Sequence, residues 1–146
     1  ILLDTVGFIS KIPHELIDAF RAKLEEVTKA DLIVHVRDIS HPSSQQQNVD
    51  VYKVLQQIGV GDESQVPIVE IRNKIDCLDP EDKVYHFNQA ARSSEYIIIT
   101  SATMGEGFDS LLNALDKTLD NHNRVININL PWLTCLLHQN TTIIFH

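Results

Sequence analysis

Asn73-Lys74-Ile75-Asp76 is the stretch with the most definite chemistry, because three polar identities stand together directly after the apolar run Val66 to Ile71. A carboxylate at Asp76 can accept two hydrogen bonds from the ring N–H and exocyclic amine of guanine. Adenine would present an acceptor at the same point and leave the charge unpaired. The Lys74 stem can lie over the plane of such a base, and Asn73 can tie the loop to a phosphate-binding side. Asn and Asp also initiate turns, so a capping turn is the alternative. One apolar run later, Thr100-Ser101-Ala102-Thr103 follows Ile97 to Ile99. Ser-Ala says little alone, but in this place the Ala102 backbone N–H is available for a guanine carbonyl and the small side chains permit close approach. Asp4-Thr5-Val6-Gly7 ends the run Ile1 to Leu3. Asp4 suits Mg2+ bound through a water, and the Gly7 amide suits a terminal phosphate that a Cβ would keep away; a plain turn is again the alternative. Gly105-x-Gly107 is a near miss to a dinucleotide fingerprint, with Ser110 where the third glycine belongs.

These loops need strands to carry them, and the chain supplies short apolar runs alternating with segments of helical period. The runs are Ile1 to Leu3, Leu32 to Val36, Val66 to Ile71 and Ile97 to Ile99, rich in β-branched residues and nearly continuous, as in strands buried on both faces. Helical spacing recurs at Leu16, Phe20, Leu24 and Val27 after Pro13, and at Val51, Leu55 and Ile58 before the breaker Gly59. Asp79-Pro80 reads as an N-cap and first-turn proline, opening a helix expected to carry Val84, Phe87 and Ala91 inward. Phe108, Leu111, Leu112, Leu115 and Leu119 form the widest apolar stripe, on a helix expected to pack against the sheet. Strand, helix, strand, helix predicts an α/β fold with a mostly parallel sheet, whose ligands sit at the carboxyl ends of the strands. After Asn121, Ile126, Ile128 and Leu130 alternate with polar residues as in a half-buried strand. The tail then offers a helical face with Trp132, read as a packing residue, and a β-prone end at Thr141 to His146.

The 146 residues carry 20 acidic against 12 basic side chains, a net charge of -8 that disfavours nonspecific contact with DNA or other nucleic acid. No apolar run approaches the ~20 residues of a membrane helix. Cys77 and Cys135 lie far apart without metal-ligand spacing, which argues against a disulfide framework or zinc ribbon. His14 reads as a surface or capping residue, and Lys11, Arg21, Lys23 and Lys29 as a solvated basic face interrupted by Glu25 and Glu26. The chain opens on Ile1 and its one methionine is Met104, so it looks like a fragment of a longer protein.

Taken together, DTVGF, NKID and SAT, in that order and each at a strand end, resemble the third, fourth and fifth motifs of the translational P-loop GTPases. More narrowly, DTVGFISKIPHELIDAFRAKLEEVTKADLIVHVRDISHP resembles the HflX family, particularly its mitochondrial branch in animals. The resemblance spans roughly residues 1 to 120. It implies GTP as ligand with Mg2+ as cofactor and a GTP-binding set of Asp4, Thr5, Val6, Gly7, Asn73, Lys74, Asp76, Ser101, Ala102 and Thr103, with Asp4 as the metal residue. It further implies a ribosome or ribosomal subunit as partner, no membrane, a monomer, and a mitochondrial or cytoplasmic location. Phe8 stands where many small GTPases carry the glutamine that orients the attacking water; a phenyl ring cannot do this, so slow intrinsic hydrolysis is expected.

The family's Gly-x-x-x-x-Gly-Lys-Ser/Thr phosphate loop is absent from these residues. The expected fold is therefore a P-loop NTPase-like (Rossmann-like) sheet truncated at its N-terminus. Residues 1–121 would form the last two-thirds of a GTPase domain and 122–146 the beginning of a truncated C-terminal α/β domain. In P-loop GTPases the strand leading into the phosphate loop lies between those ending here at Asp4 and near Asp38. Its loss predicts a vacant position, with Leu3 and Val34 about 10 Å apart. Two other functions stay open: a nucleotide-free interaction fragment, and a receiver-like domain with Asp38 as phosphoacceptor beside Lys74.

Overall fold

The computed structural model describes residues 2–4, 27–60, 66–93, 96–120 and 142–145. Its strands are β1 (Leu2–Asp4), β2 (Leu32–Asp38), β3 (Ile68–Asn73), β4 (Ile97–Ile99) and β5 (Thr142–Phe145), and its helices α1 (Ser44–Gln57), α2 (Pro80–Arg92) and α3 (Phe108–Asp120). They form one sheet in the order β1-β5-β2-β3-β4, with β2, β3 and β4 mutually parallel as the strand-helix alternation predicts. The helix expected around Leu16 to Leu24, the alternating segment at Ile126 to Leu130 and Trp132 lie outside the described residues. Among the described residues no helix is long and apolar enough to cross a membrane.

The alternation of side chains along β2 and β3 produces two different faces. Leu32, Val34, Val36, Val69 and Ile71 pack on one side against Leu111, Leu115 and Leu119 of α3, the stripe legible in the sequence. On the other side Ile33 meets Val51 and Leu55 of α1 with Val27, Ala30 and Val60. Further along that face the strands carry His35, Arg37, Glu70 and Arg72, all buried. Arg37 Nη1 donates to Glu70 Oε1 at 2.6 Å and Arg72 Nε donates to the same oxygen at 2.8 Å. Arg37 Nη2 also reaches the Ser44 hydroxyl and Gln45 Oε1, each at 3.3 Å.

Local signals stop the helices where the sequence suggests. Gly59, at φ +82°, lies just past α1; its N–H donates to the Gln56 carbonyl and that of Val60 to Leu55, closing the paired-bond motif that a left-handed glycine permits. Pro80 opens α2 behind Asp79, with Glu81 and Asp82 in the first turn and Arg92 in the last, charges that suit the helix dipole.

Two expectations are corrected. Val84 and Phe87 do not point inward: they are 58% and 54% exposed, Ala91 is exposed as well, and Lys83, His86 and Ala90 take the sheet side of α2. The buried charges turn the helix. Arg72 Nη1 finds His86 Nδ1 and Gln89 Oε1, each at 3.4 Å, and would otherwise lack these partners in the interior. The position between β1 and β2 is also not vacant. β5 fills it, antiparallel to both, pairing Leu2–Asp4 on one side and Leu32 to His35 on the other. An empty position would leave unpaired backbone groups along both neighbours, and Thr-Ile-Ile-Phe is a strand-forming run able to satisfy them.

Candidate functional site

Parallel register places Asp38 directly beside Asn73 at the carboxyl ends of β2 and β3. Residue 74 then bends sharply: Lys74 has φ +68°, the one non-glycine residue with positive φ among the described residues, and leads into the 3-10 turn Ile75–Cys77. From the next strand, the Thr100 carbonyl accepts from the Ile75 N–H at 3.2 Å. Asn73 Oδ1 in turn accepts from Thr100 Oγ1 at 3.1 Å and from the Ala102 N–H at 3.0 Å. The two loops thus hold each other through side chains that are themselves buried, Asn73 at 1% exposure and Thr100 at 0%.

Asp76 stands half-buried at this edge, with Oδ1 accepting from Ser101 Oγ and Oδ2 from Cys77 Sγ at 3.4 Å. The Ser101 hydroxyl above all holds the Asp76 carboxyl below its usual range, so at neutral pH it is an ionised, oriented acceptor. Ser101 Oγ accepts from the Met104 N–H at 3.1 Å, and Ser101 and Glu106 exchange backbone bonds of 3.1 Å that close the loop. Gly107 is required beneath it: at φ +80°, a Cβ there would lie 2.1 Å from the Ile99 carbonyl oxygen. Gly107→Ala is expected to destabilise the chain by about 1 to 3 kcal/mol, checked by thermal unfolding. An unchanged midpoint would contradict the tight approach.

The structure therefore gathers Asn73, Lys74, Asp76, Ser101 and Ala102, with Thr103 exposed on the turn that follows. One detail departs from the expected use. The Ala102 N–H donates to Asn73, so a bond to a guanine carbonyl would be shared with that contact, and Asn73 is tied to the Thr100–Ala102 loop. Asp4 is set apart. It ends β1 in register with Ile143, which is opposite Val34, about 13 Å short of Asp38 along the strand direction at ~3.3 Å per residue. Thr5, Val6, Gly7 and Phe8 lie outside the described residues. Among the described residues no group of three or more His, Cys, Asp or Glu side chains is gathered as for a metal ion.

Asp38, weighed in the sequence only as a phosphoacceptor, belongs to this edge. Its Oδ2 accepts from Lys74 Nζ at 2.6 Å and its Oδ1 from the Ser40 hydroxyl and N–H at 2.6 and 3.0 Å. An acid at the end of an apolar run was the available signal, and Lys74 stood beside it only in the receiver-like alternative; the parallel register of β2 and β3 is what brings the two side chains together. Thr100 was likewise legible only as part of a polar strand end.

No family model matches the sequence. GTPase HflX of Lacrimispora saccharolytica is 40% identical over 121 residues, 83% of this chain and 27% of that protein. GTPase HflX of Caldanaerobacter subterraneus is 36% identical over 132 residues, 90% of this chain and 28% of that protein. A Xenopus laevis protein whose name describes it as GTP-binding is 36% identical over 120 residues, 82% of this chain and 21% of its own length. The chain thus spans between about a fifth and three-tenths of these curated relatives. Identity of this level across most of the chain, together with the strand-end loops Asn73 to Asp76 and Ser101 to Ala102 joined as one site, gives the family: the chain belongs to the HflX-type GTPases.

Proposed function

We propose that this chain forms the base-reading part of a GTP-binding protein of the HflX type, whose GTP binding and hydrolysis govern its attachment to a ribosome or ribosomal subunit. The observation that carries the reading is the pair of interlocked loops. Asn73 holds Ala102 and Thr100, Ser101 holds Asp76, and an ionised carboxylate is left at the ligand edge to meet the two N–H groups of guanine. Mg2+ is assigned to Asp4 together with nucleotide phosphates, where it would neutralise phosphate charge. Exchange of Asp76 for asparagine tests the base reading. Asp76→Asn is expected to weaken GTP binding by about 1.5 to 3 kcal/mol and shift preference toward xanthosine triphosphate, because an amide can donate where the carboxylate only accepts. Equal GTP affinity with and without the substitution, by titration calorimetry, would remove Asp76 from the role.

β5 favours one alternative. It occupies the sheet position that the family resemblance gives to the strand before the phosphate loop, and a sheet closed in this way suits a nucleotide-free interaction fragment. Direct titration separates the two: the GTP-binding reading expects association no tighter than the high micromolar range, and the alternative expects none.

A further inference from the structure

Lys74 is held at both ends. Its backbone sits in the left-handed conformation between Asn73 and the Ile75–Cys77 turn, while its ammonium lies 2.6 Å from Asp38 on the neighbouring strand. Asp38 in turn is oriented from its own loop, since Ser40 supplies both a hydroxyl and an N–H to the oxygen that Lys74 does not use. The pair is screened from water, with 33% of the Lys74 side chain and 19% of that of Asp38 exposed. Burial would raise the Asp38 carboxyl, but the bonds from Lys74 and Ser40 outweigh it and hold it below its usual range. The four-carbon stem of Lys74 is thereby drawn from the end of β3 toward the end of β2, along the edge where Asp76 stands two residues further on.

We infer that Asp38 is a positioning residue for purine binding: by fixing the ammonium, it preorganises the Lys74 stem as an apolar ledge for the ring whose edge Asp76 reads. The inference rests on the base-reading site proposed above and adds a residue to it. A free lysine is among the most rotamer-rich side chains, and a ligand that stacks on it must immobilise it first; Asp38 removes that cost before the ligand arrives. The ledge contacts the purine face, so it serves guanine and hypoxanthine alike, whereas Asp76 distinguishes them through the 2-amino group.

The experiment measures the affinity of the chain for guanosine and inosine diphosphates, with Asp38→Asn, Lys74→Met, the double variant and Asp38→Glu beside the unsubstituted protein. Asp38→Asn is expected to weaken both nucleotides by the same factor, about three- to tenfold, as for ordering one long side chain on binding. Adding Asp38→Asn to Lys74→Met is expected to produce no further loss, and Asp38→Glu is expected to recover most of the affinity. A ligand-free readout accompanies it: acetylation of Lys74, followed by mass spectrometry, is expected to be several-fold faster in Asp38→Asn. Unsubstituted affinity in Asp38→Asn, additive losses in the double variant, or an unchanged Lys74 acetylation rate would each overturn the positioning role alone. Failure of the unsubstituted chain to bind either nucleotide would overturn the base-reading site and this inference with it.

Discussion

Glu70→Ala is expected to destabilise the chain by about 3 to 5 kcal/mol, the loss associated with removing one partner of a buried ion pair. Glu70 lies between two guanidinium groups that are themselves 5% and 6% exposed, and both donate to the same oxygen. Burial alone would raise the Glu70 carboxyl. The bond from Arg72 and the charge and bond of Arg37 prevail and hold it below the ordinary range, so the group is ionised. Without it, two cations remain in the interior with Ser44, Gln45, His86 and Gln89 as their neutral partners. Glu70→Gln keeps an acceptor of the same size and should fall between alanine and the unsubstituted chain. Urea unfolding measures all three. A loss below about 1 kcal/mol for alanine would mean that the cluster contributes little to the docking of β2 on β3.

Acidification is the second large effect, and it centres on His35. Burial, with Arg37 adding to it against the opposing influence of Glu70 and Asn48, lowers His35 from 6.5 to about 4. Among the described residues neither ring nitrogen meets a partner in good hydrogen-bond geometry, Asn48 being only a weak neighbour; the ring meets Tyr52 edge-on at 6.1 Å. The unfolded chain binds this proton more readily than the folded one. The neutral form's contribution is therefore complete above pH 6.5 and is lost as pH falls from there to about 4, a total of about 3 kcal/mol at ~1.4 kcal/mol per pH unit. His86, lowered by burial and then by Arg72, acts in the same direction. Glu70 and Asp38, lowered from 4.5 and 3.8, withdraw their contributions only at more acid pH. Urea unfolding at pH 7, 6 and 5 should show falling stability, and His35→Leu should remove most of that slope. An equal slope in the variant would place the proton elsewhere.

What the sequence makes legible here is local. Gly59, Asp79-Pro80 and Gly107 mark helix ends through the conformations of single residues, and the α3 stripe from Leu111 to Leu119 needs only a period to be seen. Asn73 to Asp76 declares itself because its polar identities are contiguous. The rotation of α2 was not legible, since Val84 and Phe87 obey helical spacing whichever way the helix turns. The partners that turn it, Arg72 with His86 and Gln89, come from different elements. β5 was hidden for a related reason: its β-prone residues could be read, but pairing with residues at the opposite end of the chain depends on the whole sheet. The Ala102–Asn73 bond required two loops to be placed in space before the donor's use could be known.

The proposed base-reading role is most directly examined by recording 15N–1H spectra of the chain while adding guanosine diphosphate or adenosine diphosphate. With the guanine nucleotide, resonances of Lys74 to Cys77 and of Thr100 to Thr103 should move progressively, while adenosine diphosphate at equal concentration leaves them in place. Equal movement with both nucleotides, or movement confined to other residues, would contradict guanine recognition by Asp76 and the Ser101–Ala102 loop.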